Sequence, residues 1–235
     1  MRTPIRTCLL ALALAALTTA TAAAQDILLD FASLPSAQGF TCTAVGSHAG
    51  VAESTVFSVA GGVLTQNTIG QYLGTVGGGI YYVLPGIIDA AATSETHVTA
   101  RCLQVAGSAT YPAGQGGFCF LQTNGTTQFG FSLTPTKAYV LGPGGWVAVS
   151  GTWDNTQFAD WVFRHEPPLA CKLYRNGTLI STTTGGGAVA ANRLLFGDGT
   201  GGANARGEIS SYHFLQGAAV AIEGDTWGGV KALFR

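Results

Sequence analysis

The sequence predicts an all-β chain folded as an antiparallel β-sandwich, and two observations carry that prediction. Short runs rich in Val, Ile, Phe, Tyr and Thr alternate with glycine-containing breaks, and no helical periodicity of useful length appears after residue 24. Two such runs flank Asn176-Gly177. This pair is a strong hairpin signal, because both central residues of a type I′ turn need positive φ and Asn and Gly reach it most easily.

The first 24 residues carry the pattern of an export signal. Arg2 and Arg6 form a basic start, an apolar stretch follows, and three alanines at 22–24 form a small-residue cleavage site. The apolar stretch is too short for a bilayer-spanning helix. The sequence therefore predicts a signal peptide over residues 1–24, a β-sandwich domain over 25–217, and secretion to an extracellular or periplasmic location.

The β-prone runs divide the chain into candidate strands. Glycines concentrate at the breaks between them, where they supply positive φ or a sharp reversal. The candidate strands are Ile27–Phe31, Thr55–Val59, Val63–Asn67, Ile80–Leu84, Glu95–Val105, Gly117–Thr123, Thr127–Leu133, Lys137–Leu141, Phe158–Arg164, Leu169–Arg175, Thr178–Thr183, Arg193–Gly197 and Gly207–Phe214. Short strands in this number are typical of a sandwich or a barrel.

The turn at Asn176 sets the register of its hairpin. It places Arg175 opposite Thr178 and Leu173 opposite Ile180. Side chains alternate between the two faces of a strand. One face, which we assign to the core, carries Leu169, Cys171, Leu173 and Ile180.

A second Asn-Gly pair, at positions 124 and 125, predicts another hairpin in the same way. A two-residue turn there places Leu121 opposite Gln128 and Phe120 opposite Phe129. Two strands joined by so short a turn are neighbours in one antiparallel sheet.

Four cysteines follow the export signal, namely Cys42, Cys102, Cys119 and Cys171. An even number in an exported chain predicts two disulfides, and the symmetric placement of Cys102 and Cys119 about a turn favours Cys102–Cys119 with Cys42–Cys171. The alternative is that some of them are buried free thiols, since cysteine packs well in cores. A zinc site is disfavoured, because no Cys-x-x-Cys pair or spaced histidine pair occurs.

The charge balance excludes some classes of partner. Without Arg2 and Arg6 the chain has 9 basic and 12 acidic side chains, and no run of like charge. A weakly acidic, charge-poor surface argues against nucleic acid and against an anionic membrane surface as the partner. No later apolar run is long enough to span a bilayer, so we expect a chain that does not span the membrane.

Four segments resemble a known family. The hairpin Lys172–Ile180, the strand end Leu195–Asp198, the closing strand Gly207–Phe214 and the opening turn Leu34–Phe40 are similar to a laminin-G-like, concanavalin A-like jelly-roll domain of bacterial secreted proteins. The resemblance implies two antiparallel sheets, one of them concave, with a rim of loops. Family members often carry Asp where this chain has Ser210. Members range from lectins and adhesion modules to glycoside hydrolases, so the fold alone does not choose a function.

Glycoside hydrolysis needs two carboxyl groups on either side of one bond. The hydrolase branch of the resembled superfamily carries an E-x-D-x-E-like run. Here Glu208 is the only acid on its strand, Glu95 begins another strand alone, and Asp154 and Asp160 are too far apart in sequence to share a strand face without a bend. The sequence therefore favours a non-catalytic module that binds an extracellular glycan or acts as a surface or adhesion protein. The alternatives are a hydrolase and a purely structural extracellular protein.

The glycine-rich loop after Leu195-Phe196 contains Asp198 and Asn204. Oxygen-bearing side chains in a flexible loop suit calcium, and related domains hold calcium at the rim. Asp198 and Asn204 are thus candidate calcium ligands, although a single carboxylate predicts weak binding and a plain solvated turn is the alternative. The G-x-G-x-x-G spacing in this loop does not indicate a dinucleotide site, because a strand follows it rather than a helix.

Trp146 and Trp153 lie in or near turns, where an exposed indole can stack on a sugar ring. They are the candidate carbohydrate-binding residues, with ordinary packing as the alternative. Trp161 alternates with Phe163 and is expected in the core. The residues 218–235 lose the strand pattern and form a separate tail, which we interpret either as a docking or sorting peptide or as a segment that packs back on the sandwich.

Overall fold

The computed structural model describes residues 24–71, 78–200 and 202–217. The predicted signal peptide and the tail at 218–235 lie outside the described residues, apart from Ala24. One short α-helix spans Glu53–Val56, and 3-10 turns span Pro35–Gln38 and Gly46–His48. The strands are β1 Gln25–Leu29, β2 Thr41–Val45, β3 Phe57–Ala60, β4 Val63–Asn67, β5 Gly79–Pro85, β6 Ser94–Gly107, β7 Cys119–Asn124, β8 Gln128–Leu133, β9 Ala138–Gly142, β10 Gly145–Ala148, β11 Ala159–Glu166, β12 Ala170–Arg175, β13 Thr178–Thr184, β14 Asn192–Asp198 and β15 Ala203–Gln216.

These strands form two antiparallel sheets. Within the described ranges, sheet A has the order β13-β12-β11-β6-β15-β4-β3, and β1 pairs with β15 beyond the end of β4. Sheet B has the order β10-β9-β8-β7-β14-β5-β2. The chain passes repeatedly from one sheet to the other, so neighbouring strands are often distant in sequence. The predicted all-β, antiparallel jelly-roll β-sandwich is confirmed.

A continuous aromatic core lies between the sheets. Trp161 and Phe163 of sheet A are each 1% exposed and stack on Phe131 of sheet B, with ring centroids 6.0 and 6.1 Å from it. The prediction that Trp161 is a core residue is confirmed. Each large apolar side chain removed from water in this way contributes about 1.5–3 kcal/mol to stability.

The hairpin at Asn176 forms largely as its turn chemistry predicts. Asn176 has φ 49° and the following glycine φ 79°. Arg175 lies opposite Thr178 and Tyr174 opposite Leu179, as expected, but a β-bulge beyond Tyr174 places Leu173 opposite Ser181 rather than Ile180. The bulge does not change which residues face the core, since Leu173 is fully buried and Ile180 packs against the core.

The core assignment of Cys171 is confirmed, since it is 1% exposed. The assignment of Leu169 is wrong. Leu169 is 43% exposed. The strand β12 begins one residue later, at Ala170, so the alternation of side chains between two sheet faces does not apply to Leu169.

The hairpin at Asn124 departs from the predicted register by two residues. Leu121 lies opposite Gly130, and the turn is four residues long, closed by the Asn124 N–H donating to the Thr127 carbonyl. The Asn124 side chain explains the longer turn. Its Oδ1 accepts hydrogen bonds from the backbone N–H groups of Thr126 and Thr127 at 3.0 and 2.9 Å.

The predicted disulfides are not formed, and all four cysteines between 24 and 217 are free thiols. Cys102 lies on β6 of sheet A and faces the central core, whereas Cys119 lies on β7 of sheet B and packs in a separate cluster on the outer face of that sheet. The two strands do not form the hairpin that the symmetric placement suggested. Burial raises the pKa of the Cys102 and Cys171 thiols to about 12, which makes them inert.

Candidate functional site

The outward side chains of the middle strands of sheet A form a polar surface. We call it the polar face, and it comprises Glu95, His97, Thr99, Arg101, Asp160, Arg164, Glu208, Ser211 and His213. The strand registers place these residues in rows across the sheet, with Glu208 opposite Arg101, Ser211 opposite Thr99, and His213 opposite His97. The alternation of β6, β11 and β15 therefore produces one surface from residues that are up to about 120 positions apart in sequence.

The first row contains an ion pair beside an exposed aromatic ring. A terminal guanidinium nitrogen of Arg101 lies 2.7 Å from Glu208 Oε2, and its Nε donates to the same oxygen at 2.9 Å. The Arg101 guanidinium carbon also lies 4.7 Å from the ring centroid of Phe158, which is 39% exposed. The arginine is therefore fixed in one orientation by a carboxylate and a ring at the same time.

The second row is a relay of hydroxyl groups. Ser211 Oγ donates to Thr99 Oγ1 at 2.8 Å, and Thr99 Oγ1 donates to Asp160 Oδ1 at 2.7 Å. Each hydroxyl uses its single proton, so the proton directions along this row are set by the Asp160 carboxylate at its end.

The remaining rows are a network of charged pairs. Glu95 is 6% exposed and lies between His97 Nε2 at 2.7 Å and an Arg164 nitrogen at 3.4 Å. On the far side of Arg164, Glu166 lies 3.0 Å from its Nε and also 3.0 Å from Lys172 Nζ. Partly buried charges of opposite sign hold one another in place, which makes this end of the face rigid.

The histidines extend the network across the strand β15 towards β1. His213 Nε2 lies 2.7 Å from Asp26 Oδ1, and the rings of His97 and His213 are 6.2 Å apart. In the sequence His97 and His213 are far apart, and neither belongs to a spaced histidine pair. The signal that could have found them is their position on the outward face of two long strands, but the pairing of β6 with β15 is not readable from sequence.

The carboxylates of this face are each engaged by a basic or hydroxyl-bearing side chain. Glu95, Asp160 and Glu208 share one face, yet the register separates the Cα atoms of Asp160 and Glu208 by about 12 Å, from two strand spacings and two residues. Glu95 and Glu166 are both in contact with Arg164, whose guanidinium therefore stands between them. Asp154 lies in an exposed loop before β11 and accepts hydrogen bonds from Thr156.

The two predicted tryptophans belong to different clusters. Trp146 is half-buried on β10 and packs against Tyr81, Cys119 and Leu195 on the outer face of sheet B. Trp153 is half-buried in the loop before β11 and packs against the central core. Neither indole is a member of the polar face.

The predicted calcium residues both lie near Thr68, but they are buried rather than on a solvated rim. Asp198 and Asn204 are fully buried, and both reach Thr68. Asn204 Nδ2 donates to the Thr68 carbonyl, and Asp198 Oδ1 accepts the Thr200 N–H at 3.2 Å. Asp198 Oδ2 and Asn204 Oδ1 lack hydrogen-bond partners among the described residues.

This donor set does not fit calcium. Calcium takes six to eight oxygen ligands, and only one carboxylate is present. Across 24–71, 78–200 and 202–217 no group of three His, Cys, Asp or Glu side chains is placed to hold a metal ion. Desolvation raises the pKa of Asp198 well above its ordinary value, although hydrogen bonds from Thr68 and Thr200 act in the opposite direction. A proton on Oδ2 would turn an unsatisfied acceptor into a donor.

No known family matches the sequence, and no curated protein matches it. Solved structures with a similar arrangement of strands include the binding domain of paraclostridial mosquitocidal protein 1, with 11% identity and a TM-score of 0.46 over 73% of this chain and 42% of that one. A conserved carbohydrate esterase from the Shiga toxin-encoding bacteriophage phi24B has 14% identity and a TM-score of 0.45, over 81% and 89%.

A third similar structure is a prokaryotic β-1,3-1,4-glucanase from a mouse hindgut metagenome, with 9% identity and a TM-score of 0.49 over 80% of this chain and 98% of the glucanase. This chain spans less than half of the mosquitocidal binding domain. Sandwich domains that bind and sandwich domains that cleave thus both resemble it, and likenesses this distant carry no argument about function. No helix among the described residues is long and apolar enough to cross a membrane.

Proposed function

We propose that the protein is a secreted, non-catalytic β-sandwich module that binds an extracellular glycan on the polar face of sheet A. The observation that carries the proposal is the fixed arrangement of the Arg101–Glu208 pair beside the exposed ring of Phe158. A guanidinium and a carboxylate held in one orientation can donate hydrogen bonds to, and accept them from, neighbouring sugar hydroxyls. The adjacent aromatic ring can pack on the apolar face of the sugar.

The hydroxyl row next to this pair supports the same proposal. Ser211, Thr99 and Asp160 are joined in one relay, so little side-chain freedom is left to lose when a ligand binds. Thr99 and Arg101 hold the Asp160 and Glu208 carboxylates in place, where both can accept hydrogen bonds from sugar hydroxyls.

A glycan array followed by calorimetric titration of the best ligand tests the proposal. The double variant Arg101→Met, Glu208→Gln removes the ion pair without leaving a lone charge, and we expect it to weaken binding by about tenfold or more, the usual effect of losing charge-assisted contacts. Arg193→Met is the matched control, because Arg193 lies on sheet B with its guanidinium 5.8 Å from the Tyr81 ring.

Three outcomes would contradict the proposal. The wild-type chain could bind no glycan, which would favour a structural role. The control and the double variant could weaken binding equally, which would place the ligand elsewhere. Release of reducing sugar from the bound glycan by the wild-type chain would show a hydrolase.

A further inference from the structure

A second polar feature lies at the edge of sheet A, beside the polar face. It is a cleft of about 320 Å³ between the short helix, the edge strand β3, the strand β4 and the start of β15. The cleft is lined by Ser54, Thr55, Val56, Phe57, Ser58, Thr65, Asn67 and Arg206. Its volume is at the lower end of the range for small-molecule sites, about 300–1,000 Å³, which suits one sugar unit rather than a long chain.

Arg206 distinguishes this cleft from the rest of the sheet. It is exposed, and it makes no ion pair or hydrogen bond with any described residue. The other arginines of the sheet A face are occupied: Arg101 by Glu208, and Arg164 by Glu95 and Glu166. All the N–H donors of the Arg206 guanidinium are therefore available to a ligand.

Two acids adjoin the cleft along the chain, and other groups hold their carboxylates. Glu208 lies two residues further along the same face of β15, but its carboxylate is bound by Arg101 at 2.7 Å. Glu53 precedes the lining of the cleft, and its carboxylate accepts a hydrogen bond from Ser36 Oγ at 3.1 Å. No acidic side chain lines the cleft, so the positive charge there is uncompensated.

The other lining groups supply hydrogen bonds for a sugar. Asn67 lies directly opposite Arg206 in the register, and its Oδ1 accepts the Ile69 N–H at 3.2 Å. Its amide nitrogen is left as a donor. Ser58 lies opposite Thr65 on the same outward face, which adds two hydroxyl groups that can both donate and accept.

We propose that this cleft binds the acidic residue of a saccharide, with Arg206 pairing with its carboxylate or sulfate and the hydroxyl groups with its ring hydroxyls. The proposal rests on the glycan-binding function proposed for the adjoining polar face and names the class of glycan that the cleft selects. Arginine binds such planar or tetrahedral anions through two parallel hydrogen bonds, which gives both affinity and orientation.

The test compares matched ligands on the full exported chain. A disaccharide ending in glucuronate, its neutral glucose counterpart and a sulfated glucose counterpart are titrated against the wild type, Arg206→Gln and the control Arg193→Gln. We expect the wild type to prefer at least one acidic ligand by about tenfold, the size of one charge-assisted pair, and Arg206→Gln to reduce that preference to about one. The glucuronate and sulfate arms identify which acid is chosen.

The outcomes separate this proposal from the one it rests on. Equal binding of acidic and neutral ligands, or an unchanged preference in Arg206→Gln, would overturn the acidic ligand while keeping glycan binding. If no saccharide binds, free glucuronate is titrated while the Arg206 Nε–H resonance is followed. A saturable shift there would support an anion site and reject the glycan-binding function, and no shift would reject both.

Discussion

Asp198 is the residue whose chemistry depends most on its surroundings. It is fully buried at the end of β14, one carboxylate oxygen lacks a partner among the described residues, and the Cys119 thiol is an uncharged neighbour. Desolvation therefore raises its pKa. A raised pKa in the folded state means that the carboxyl stabilises the fold below its ordinary pKa and that this contribution is lost as pH rises towards the folded value.

The Asp198→Asn variant tests this reading. Between the unfolded and the folded pKa of Asp198, the free energy of unfolding of the wild type should fall by about 1.4 kcal/mol for each pH unit relative to that of the variant. The reason is that only the wild type must keep a proton on residue 198 to stay folded. Chemical denaturation across a pH series measures the difference. A constant difference at all pH values would show that Asp198 has the same pKa in the folded and the unfolded chain, and would contradict the raised pKa.

Calcium provides the control for the same residue. If Asp198 is protonated, millimolar calcium and a chelator should give the same melting temperature at neutral pH, since a ligand that binds only the folded state would raise it. A calcium-dependent rise that Asp198→Asn abolishes would restore the metal site that the sequence suggested.

Among single elements, the β7–β8 hairpin shows how a backbone position can forbid a side chain. Gly130 lies in the middle of β8 with φ 149°, and a Cβ there would overlap the carbonyl oxygen of Phe120 and the side chain of Leu121. Gly125 lies in the turn of the same hairpin with φ 87°, and a Cβ there would meet nothing. A side chain at Gly125 would therefore meet only backbone strain, whereas a side chain at Gly130 would meet backbone strain and a steric clash.

Alanine substitutions at these two positions should differ in cost. Gly125→Ala should destabilise by about 1 kcal/mol, the ordinary cost of a residue other than Gly at positive φ. Gly130→Ala should cost about 3 kcal/mol or more, because the strand pairing must move to make room. Equal midpoints of urea denaturation for the two variants would contradict the register of this hairpin.

The two Asn-Gly hairpins also show what a short motif determines. At Asn176 the first two pairs beyond the turn form as predicted, and a bulge then shifts the third pair. At Asn124 the side chain closes a four-residue turn, so every pair is displaced by two residues. A displacement of two keeps each side chain on its face, which is why the faces could be predicted where the register could not.

For the whole molecule, stability comes from the aromatic core and not from covalent cross-links. The four cysteines of the described region are free thiols, and Cys102, Cys119 and Cys171 are at most 1% exposed. We expect reductant to leave the melting temperature of the exported chain unchanged. Breaking a native disulfide usually lowers the free energy of unfolding by about 2–5 kcal/mol, and the described residues contain no disulfide to break.

A thiol titration checks this expectation directly. The native chain should react slowly and the denatured chain should expose four thiols beyond the predicted signal peptide. A loss of two or four reactive thiols in non-reducing denaturant, together with a lower melting temperature in reductant, would show that disulfides form after export.

The sequence alone determined the fold class, because strand periodicity, turn chemistry and the placement of glycines depend only on residues that are close together along the chain. It also paired Asp198 with Asn204, since the two lie on either side of one loop. Only the tertiary structure decided the polar face and the cleft of Arg206. These surfaces join β3, β4, β6, β11 and β15, and pairings between strands so distant along the chain depend on how two sheets close over one core. For the same reason Cys102 and Cys119, which lie symmetrically about a turn signal in the sequence, are in different sheets and clusters.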